Sequence, residues 1–235
     1  MSGILYIISA PSGSGKSTLV NEMRKFVSHL EFSISYTTRP PRGSEQNGVE
    51  YYFISRSKFE EMLAQNEFLE YAEVFGNYYG TANSVLEQAF RRGNDVLLDI
   101  DVQGERQVKT KMPEAVSIFV LPPSRVELES RLRKRSVSEN VRSEETIRKR
   151  LDGARKEIEN YPNYDYILVN DHLEQSVDEL QAIVLSERCQ RSGKSVPPDE
   201  RRYLEIAKKC LKSNMESKVK EILATFCDVS SSTAK

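Results

Sequence analysis

Residues Ala10 to Ser17, Ala-Pro-Ser-Gly-Ser-Gly-Lys-Ser, bring glycines, hydroxyls and one lysine together after the apolar run Ile4-Leu5-Tyr6-Ile7-Ile8 and before a segment able to open a helix. Strand, glycine-rich loop and helix in that order form a phosphate cradle. Glycines let backbone N–H groups turn inward, and the helix N-terminus adds the positive end of its dipole. In such a cradle Ser12, Gly13, Ser14, Gly15, Lys16, Ser17 and Thr18 surround the phosphates. Lys16 reaches the β- and γ-phosphates, and the Ser17 hydroxyl faces Mg²⁺. Ala10 stands where the strict pattern has its first glycine, and is expected to be tolerated if its φ is negative.

A second cluster follows at Ser35-Tyr36-Thr37-Thr38-Arg39-Pro40-Pro41-Arg42. Two prolines between two arginines stiffen the turn and fix the guanidinium spacing, and each guanidinium is a planar fork suited to phosphate oxygens. Tyr51 and Tyr79 can add hydroxyl donors to the same anion. A third lies at Asp99, which ends the apolar run Val96-Leu97-Leu98 where phosphate-loop enzymes place a metal-directed carboxylate. Asp101 lies two residues on, on the same face of an extended strand.

The elements that must position these residues are readable from periodicity. Apolar, β-rich runs predict strands at 4–9, 32–37, 96–100, 115–121 and 166–169, and helical patterns fall at 17–27, 84–92, 125–134, 144–160 and 173–192. Most of the strands lack polar alternation, as parallel strands covered on both faces do. Their alternation with helices predicts a doubly wound α/β core. Two stretches interrupt the rhythm: residues 36–82, with short alternating pieces, predict a small inserted β-containing subdomain, and the basic stretch 131–155 predicts a lid. Two lobes around a polyphosphate cradle suit an enzyme that closes over two substrates and excludes water. Beyond residue 190 a helical extension is expected from Asp199. Its stripe Tyr203, Ala207, Leu211, Met215, Val219, Leu223, Phe226 is expected to pack on its own domain, with a subunit contact as the alternative and a frayed tail at 228–235.

The 235 residues carry 34 Lys plus Arg against 35 Asp plus Glu, a net charge of −1, which argues against bulk attraction to nucleic acid or membrane. Any anion site must therefore be a local cluster. No apolar run is long enough to span a bilayer, and no leader pattern is recognisable at the N-terminus. Cys189, Cys210 and Cys227 fit no disulfide framework or metal spacing, so a reduced, cytoplasmic protein is expected. With only His29 and His172, histidine-based catalysis is not expected.

Seven motifs run in the order seen in guanylate kinases, the phosphate-loop nucleoside monophosphate kinases that act on GMP: Ser12–Ser17; Thr37-Thr38-Arg39-x-x-Arg42; Asn47-Gly48-x-x-Tyr51; Glu67-Phe68-Leu69-Glu70; Gly76–Thr81; Asp99–Gly104; and Val169-Asn170-Asp171. The chain resembles that family over about residues 3–190. The resemblance implies a P-loop NTPase three-layer α/β core with a parallel sheet, an inserted GMP-binding subdomain and a lid. It implies Mg²⁺-dependent phosphoryl transfer from ATP to GMP, by a monomer or homodimer. Arg39, Arg42, Tyr51 and Tyr79 match the clamp on the GMP phosphate. Glu70 matches the guanine reader, Ser35 and Thr81 the positions on the guanine carbonyl edge, and Asp101 a position near the amino group. Arg131, Arg135 and Arg150 match arginines around ATP and the transferring group; Asn170 and Asp171 match adenine-side contacts. Asp99 would hold Mg²⁺ or orient the acceptor phosphate. The lid turn Ser136–Arg142 departs from the family in length and in lacking glycine.

A carboxylate at position 70 can accept from both N1–H and the exocyclic amino group of guanine, whereas adenine presents a bare acceptor at N1. Phosphoryl transfer then needs positioning and charge rather than a general base, in keeping with a chain so poor in histidine. Two other readings share the phosphate loop. A non-catalytic scaffold module would carry a degraded loop, and a sugar-phosphate kinase would have no need of Glu70, Thr81 and Asp101 together.

Overall fold

The computed structural model describes residues 3–74, 76–138, 144–193 and 201–227. In chain order its elements are β1 (Leu5–Ser9), α1 (Lys16–Met23), β2 (Leu30–Phe32), β3 (Tyr36–Thr37), β4 (Tyr52–Phe53), α2 (Arg56–Ala64), β5 (Phe68–Val74), β6 (Asn77–Ala82), α3 (Asn83–Arg91), β7 (Asp95–Asp99), α4 (Val102–Lys111), β8 (Val116–Leu121), α5 (Arg125–Ser138), α6 (Glu144–Ile158), β9 (Tyr166–Val169), α7 (Leu173–Ser192), α8 (Arg201–Lys209) and α9 (Lys212–Ala224). They divide into two compact units: residues 1–9 with 29–117, and residues 10–28 with 118–235.

In the first unit β1 and β2 both pair in parallel with β7, Leu5 opposite Val96 and Leu30 opposite Asp95. Leu5, Ile7, Val96 and Leu98 are buried together with Leu86, Ile100 and Val108. Four further strands form a separate sheet in the order β4-β3-β6-β5, with β5 and β6 antiparallel. This small sheet is closed by α2, whose Phe59 stacks between Phe68 and Tyr78 at centroid distances of 4.3 and 5.0 Å. It lies within the predicted insertion. In the second unit β8 and β9 pair in parallel, Ile118 opposite Tyr166. Leu19 and Met23 of α1, Leu128 and Leu132 of α5, and Leu180 and Ile183 of α7 are fully buried.

Several boundaries differ from the sequence reading. The predicted strand 32–37 is two strands: Ser33 N–H still reaches Leu97 O at 3.0 Å, but Ser35 O accepts from Tyr52 N–H at 2.9 Å, so the chain changes sheets between them. The first helix stops at Met23, where bonds to the third residue back tighten it into a turn. The helix predicted at 125–134 runs to Ser138. Helices α2 and α4 had no counterpart in the reading. The stripe expected to form one helix from Asp199 is broken at Cys210–Leu211, where Cys210 O accepts from Ile167 N–H at 2.8 Å and Lys212 N–H reaches Asp165 O at 3.0 Å. That bridge gives Ile167 of β9 and Asp165 just before it one extra backbone bond each. The stripe does lie against its own unit: α8 packs along α7, α9 on β9, and Ala207, Val219 and Phe226 are buried. Residues 139–142 of the lid turn Ser136–Arg142, with residue 143, the segment 194–200 that includes the expected start of the extension, and the tail at 228–235 lie outside the described residues.

Candidate active site

The second unit builds a phosphate loop. Gly13 and Gly15 hold φ of 93° and 86°, in the left-handed region that side chains resist. Their surroundings exclude a side chain as well: a Cβ on Gly13 would lie 2.9 Å from Leu132, and one on Gly15 would collide with Asn170 Nδ2. Ala10 is not among the residues of positive φ, so the methyl that replaces the usual glycine is accommodated. Ser14 N–H bonds Pro11 O at 3.1 Å and closes the turn. Gly15 caps α1 without a side-chain acceptor, leaving first-turn N–H groups aimed at the loop. The Ser14 hydroxyl is fully buried and has no partner among the described residues.

Two side chains meet on the carbonyl of Ser14. Asn170 Nδ2 donates at 2.8 Å and Arg131 Nη1 at 3.3 Å, while Arg131 Nε is held by Glu127 at 2.8 Å. Arg135 follows Arg131 one turn later on α5, Arg150 is half-buried on α6, and Asp171 is exposed beyond β9. Asn170 therefore buttresses the loop backbone, a contact that its match to the adenine side did not anticipate.

The first unit builds a cation-and-hydroxyl cluster beside a buried carboxylate. Arg39 is 6% exposed and stacks over Tyr51 and Phe53, 4.9 and 5.5 Å from their centroids. Its Nη1 and Nη2 donate to Glu45 at 2.6 and 2.8 Å, and Nη1 also donates to Pro40 O at 2.9 Å. The Nε edge makes no hydrogen bond among the described residues and remains a two-donor fork. Glu45 accepts Arg42 N–H as well, at 2.8 Å. The paired Arg39 guanidinium holds the Glu45 carboxyl below its usual range, and Glu45 in turn pushes Arg39 up. Tyr51 and Tyr79 lie edge to face at 5.9 Å. Burial pushes the Tyr51 phenol up, with the Asp99 carboxylate adding to the shift and Arg39 opposing it. Arg39, Tyr51, Tyr79 and Asp99 thus share one electrostatic environment, with Arg42 exposed at its margin.

Glu70, on β5, is 3% exposed. Burial raises its carboxyl to about 7 against hydrogen bonds from the Thr81 hydroxyl and N–H; the Asp101 charge adds to the rise and Lys111 opposes it. Ser35 and Thr81 hydroxyls are 3.5 Å apart, so three of the guanine-edge candidates converge. Asp101 does something the reading missed. It caps α4, its Oδ1 accepting from the N–H groups of Gln103 at 3.0 Å and Gly104 at 2.9 Å. Glu45 escaped the reading altogether; the signal available was a carboxylate three residues beyond Arg42, at the spacing of one turn.

The arrangement can hold a polyphosphate in one unit and a phosphate with an adjoining donor-rich edge in the other. The guanylate kinase family profile matches residues 2–187. A guanylate kinase of Koribacter versatilis is 59% identical over 228 residues, 97% of each chain, a span that takes in the C-terminal helices. A guanylate kinase of Escherichia coli is 47% identical over 192 residues, 81% of this chain and 91% of its own. The crystal structure of guanylate kinase from Anaplasma phagocytophilum superposes with a TM-score of 0.64 at 35% identity, over 79% of this chain and 86% of that one. The chain belongs to the guanylate kinase family, the nucleoside monophosphate kinases that transfer a phosphoryl group from ATP to GMP.

Proposed function

We infer that the phosphate loop takes the donor and the Arg39–Glu70 lobe takes the acceptor. On the donor side the N–H groups of Gly13 to Thr18 and the Ser12 hydroxyl surround the ATP phosphates. Lys16 neutralises charge that spreads during transfer, and Arg131, Arg135 and Arg150 add cations along the triphosphate. Asn170 fixes the loop through Ser14, and Asp171 stands on the adenine side. On the acceptor side Arg39 offers its Nε edge, and Arg42, Tyr51 and Tyr79 complete the hold on the GMP phosphate. Glu70 accepts from guanine N1–H and the amino group, Ser35 and Thr81 address the carbonyl edge, and Asp101 stands near the amino group. The acceptor phosphate is already an anion and needs no general base.

The Ser17 hydroxyl in the second unit and the Asp99 carboxylate in the first are each exposed, hard oxygen donors of the kind that suits Mg²⁺. Mg²⁺ held there would supply Lewis-acid stabilisation of the negative charge on the transferring phosphates.

The observation that carries this reading is Glu70, a nearly inaccessible carboxylate oriented by Thr81 in the lobe that also holds the Arg39 clamp. Adenine would leave that carboxylate without its donors, a penalty a site pays only for the wrong base. A coupled assay of ADP formation with GMP, AMP, CMP and UMP in parallel tests it. Turnover confined to GMP is expected; comparable turnover with AMP would overturn the assignment of Glu70.

A further inference from the structure

One face of helix α4 meets Glu70 and the strand that carries it. Strand β5 is the edge of its sheet, so its outer N–H and C=O groups need partners. The side chain of Gln107 supplies two: its Oε1 accepts Tyr71 N–H at 3.2 Å and its Nε2 donates to Tyr71 O at 2.6 Å. The amide thus acts as one residue of an additional strand. Lys111 Nζ donates to the carbonyls of Phe68 and Leu69. Those carbonyls sit at the irregularity where the β5–β6 register shifts, between Phe68 and Glu70. Glu70 is therefore gripped on both sides along the strand, at residue 71 by Gln107 and at residues 68 and 69 by Lys111.

Gly104 meets the Glu70 carboxylate itself. A Cβ at position 104 would lie 2.5 Å from Glu70 Oε2 and 3.1 Å from its Cδ. Residues 104, 107 and 111 share one face of a helix by spacing. The bare surface at 104 leaves room for the carboxylate in the place where Thr81 orients it.

We propose that the Gly104–Gln107–Lys111 face of α4 is a positioning surface that fixes the Glu70 carboxylate and so sets the acceptor selectivity of the kinase. This rests on the reading of Glu70 as the guanine acceptor. None of the three residues needs to touch the nucleotide. The closest contact of a methyl added at 104 is the flexible end of Glu70, which must yield most; the Ile100 Cβ, at 3.3 Å, needs to give by only a few tenths of an ångström. Glycine is also the poorer helix former, so alanine at this position favours the helix itself.

The test is Gly104→Ala and, separately, Gln107→Leu, with Glu70→Gln run in parallel; KM and kcat are measured for GMP and ATP, and Tm without nucleotide. For Gly104→Ala the KM for GMP is expected to rise at least about tenfold, the KM for ATP to stay within about twofold, and Tm not to fall. Gln107→Leu is expected to raise the KM for GMP in the same selective way. If Glu70→Gln raises the KM for GMP but Gly104→Ala leaves it within about twofold, the positioning role is wrong and the guanine reading stands. If Glu70→Gln leaves GMP kinetics unchanged, the guanine reading fails and the inference falls with it. A parallel rise in both KM values with a fall in Tm would also overturn the proposal, marking Gly104 as a packing position only.

Discussion

Replacing Glu70 by glutamine should stabilise the protein at alkaline pH while impairing its use of GMP. Burial holds the folded-state carboxyl at about 7, against an ordinary value of 4.5. Between those values the folded state keeps a proton that the unfolded chain has released, so stability falls as pH rises from about 4.5 to about 7 and stays lowered above it. At 1.36 kcal/mol per pH unit the full effect is about 3 kcal/mol. Glutamine has the same shape, can accept from Thr81, and does not titrate. Urea unfolding of both proteins at pH 4.5 and pH 8, without nucleotide, isolates the term, because every other titrating group is common to the two. The stability difference should lie near zero at the lower pH and favour Glu70→Gln by about 3 kcal/mol at the higher one. A difference that is the same at both pH values would refute the reasoning, since it would mean that the buried carboxyl titrates alike folded and unfolded. If Glu70 reads guanine as proposed, the unfavourable ionised group has a use, since only the ionised form can accept twice from the base.

Glu45→Gln should raise the KM for GMP by about tenfold and leave the KM for ATP unmoved in steady-state kinetics, because Arg39 loses the partner that presents its Nε edge. Asn170→Ala removes the buried donor to Ser14 O, worth about 1–2 kcal/mol, and should show the opposite selectivity, raising the KM for ATP by about tenfold. Lys16→Ala should lower kcat by about a hundredfold or more with Tm retained, since its charge matters most as the phosphoryl group moves; an unchanged kcat would remove Lys16 from the transition state.

The core strands and the phosphate loop were legible because their physics is local. A strand covered on both faces shows as an uninterrupted apolar run, and Tyr166–Val169 falls at its predicted bounds. Gly13 and Gly15 announce their left-handed backbone by being glycines. The split of 32–37 into two strands was not legible, because Ser33 and Ser35 change partners by backbone bonds that any residue could make. The break at Leu211 has the same origin: the stripe continues through it, and only the free edge of β9 explains why the helix stops.

In the site, residues whose motifs match ligand-facing positions were read, and the residues that hold them in the structure were not. A phosphate contact calls for a particular chemistry, and so Lys16 and Arg39 stood out from their motifs, whereas Glu70 was singled out only by its match to the family. A side chain that fixes another needs only a donor or acceptor in the right place, and Glu45, Gln107 and Lys111 look like ordinary surface residues. Asp101 shows where the missing signal lay. Read only as a neighbour of guanine, it hid a second meaning. An aspartate followed two and three residues later by free N–H groups is also the start of a helix. Taken as a cap, it would have placed α4 at 102–111 despite that segment's weak apolar periodicity. The spacing of Gly104, Gln107 and Lys111 on one face would then have followed, and with it the surface against which the Glu70 carboxylate rests.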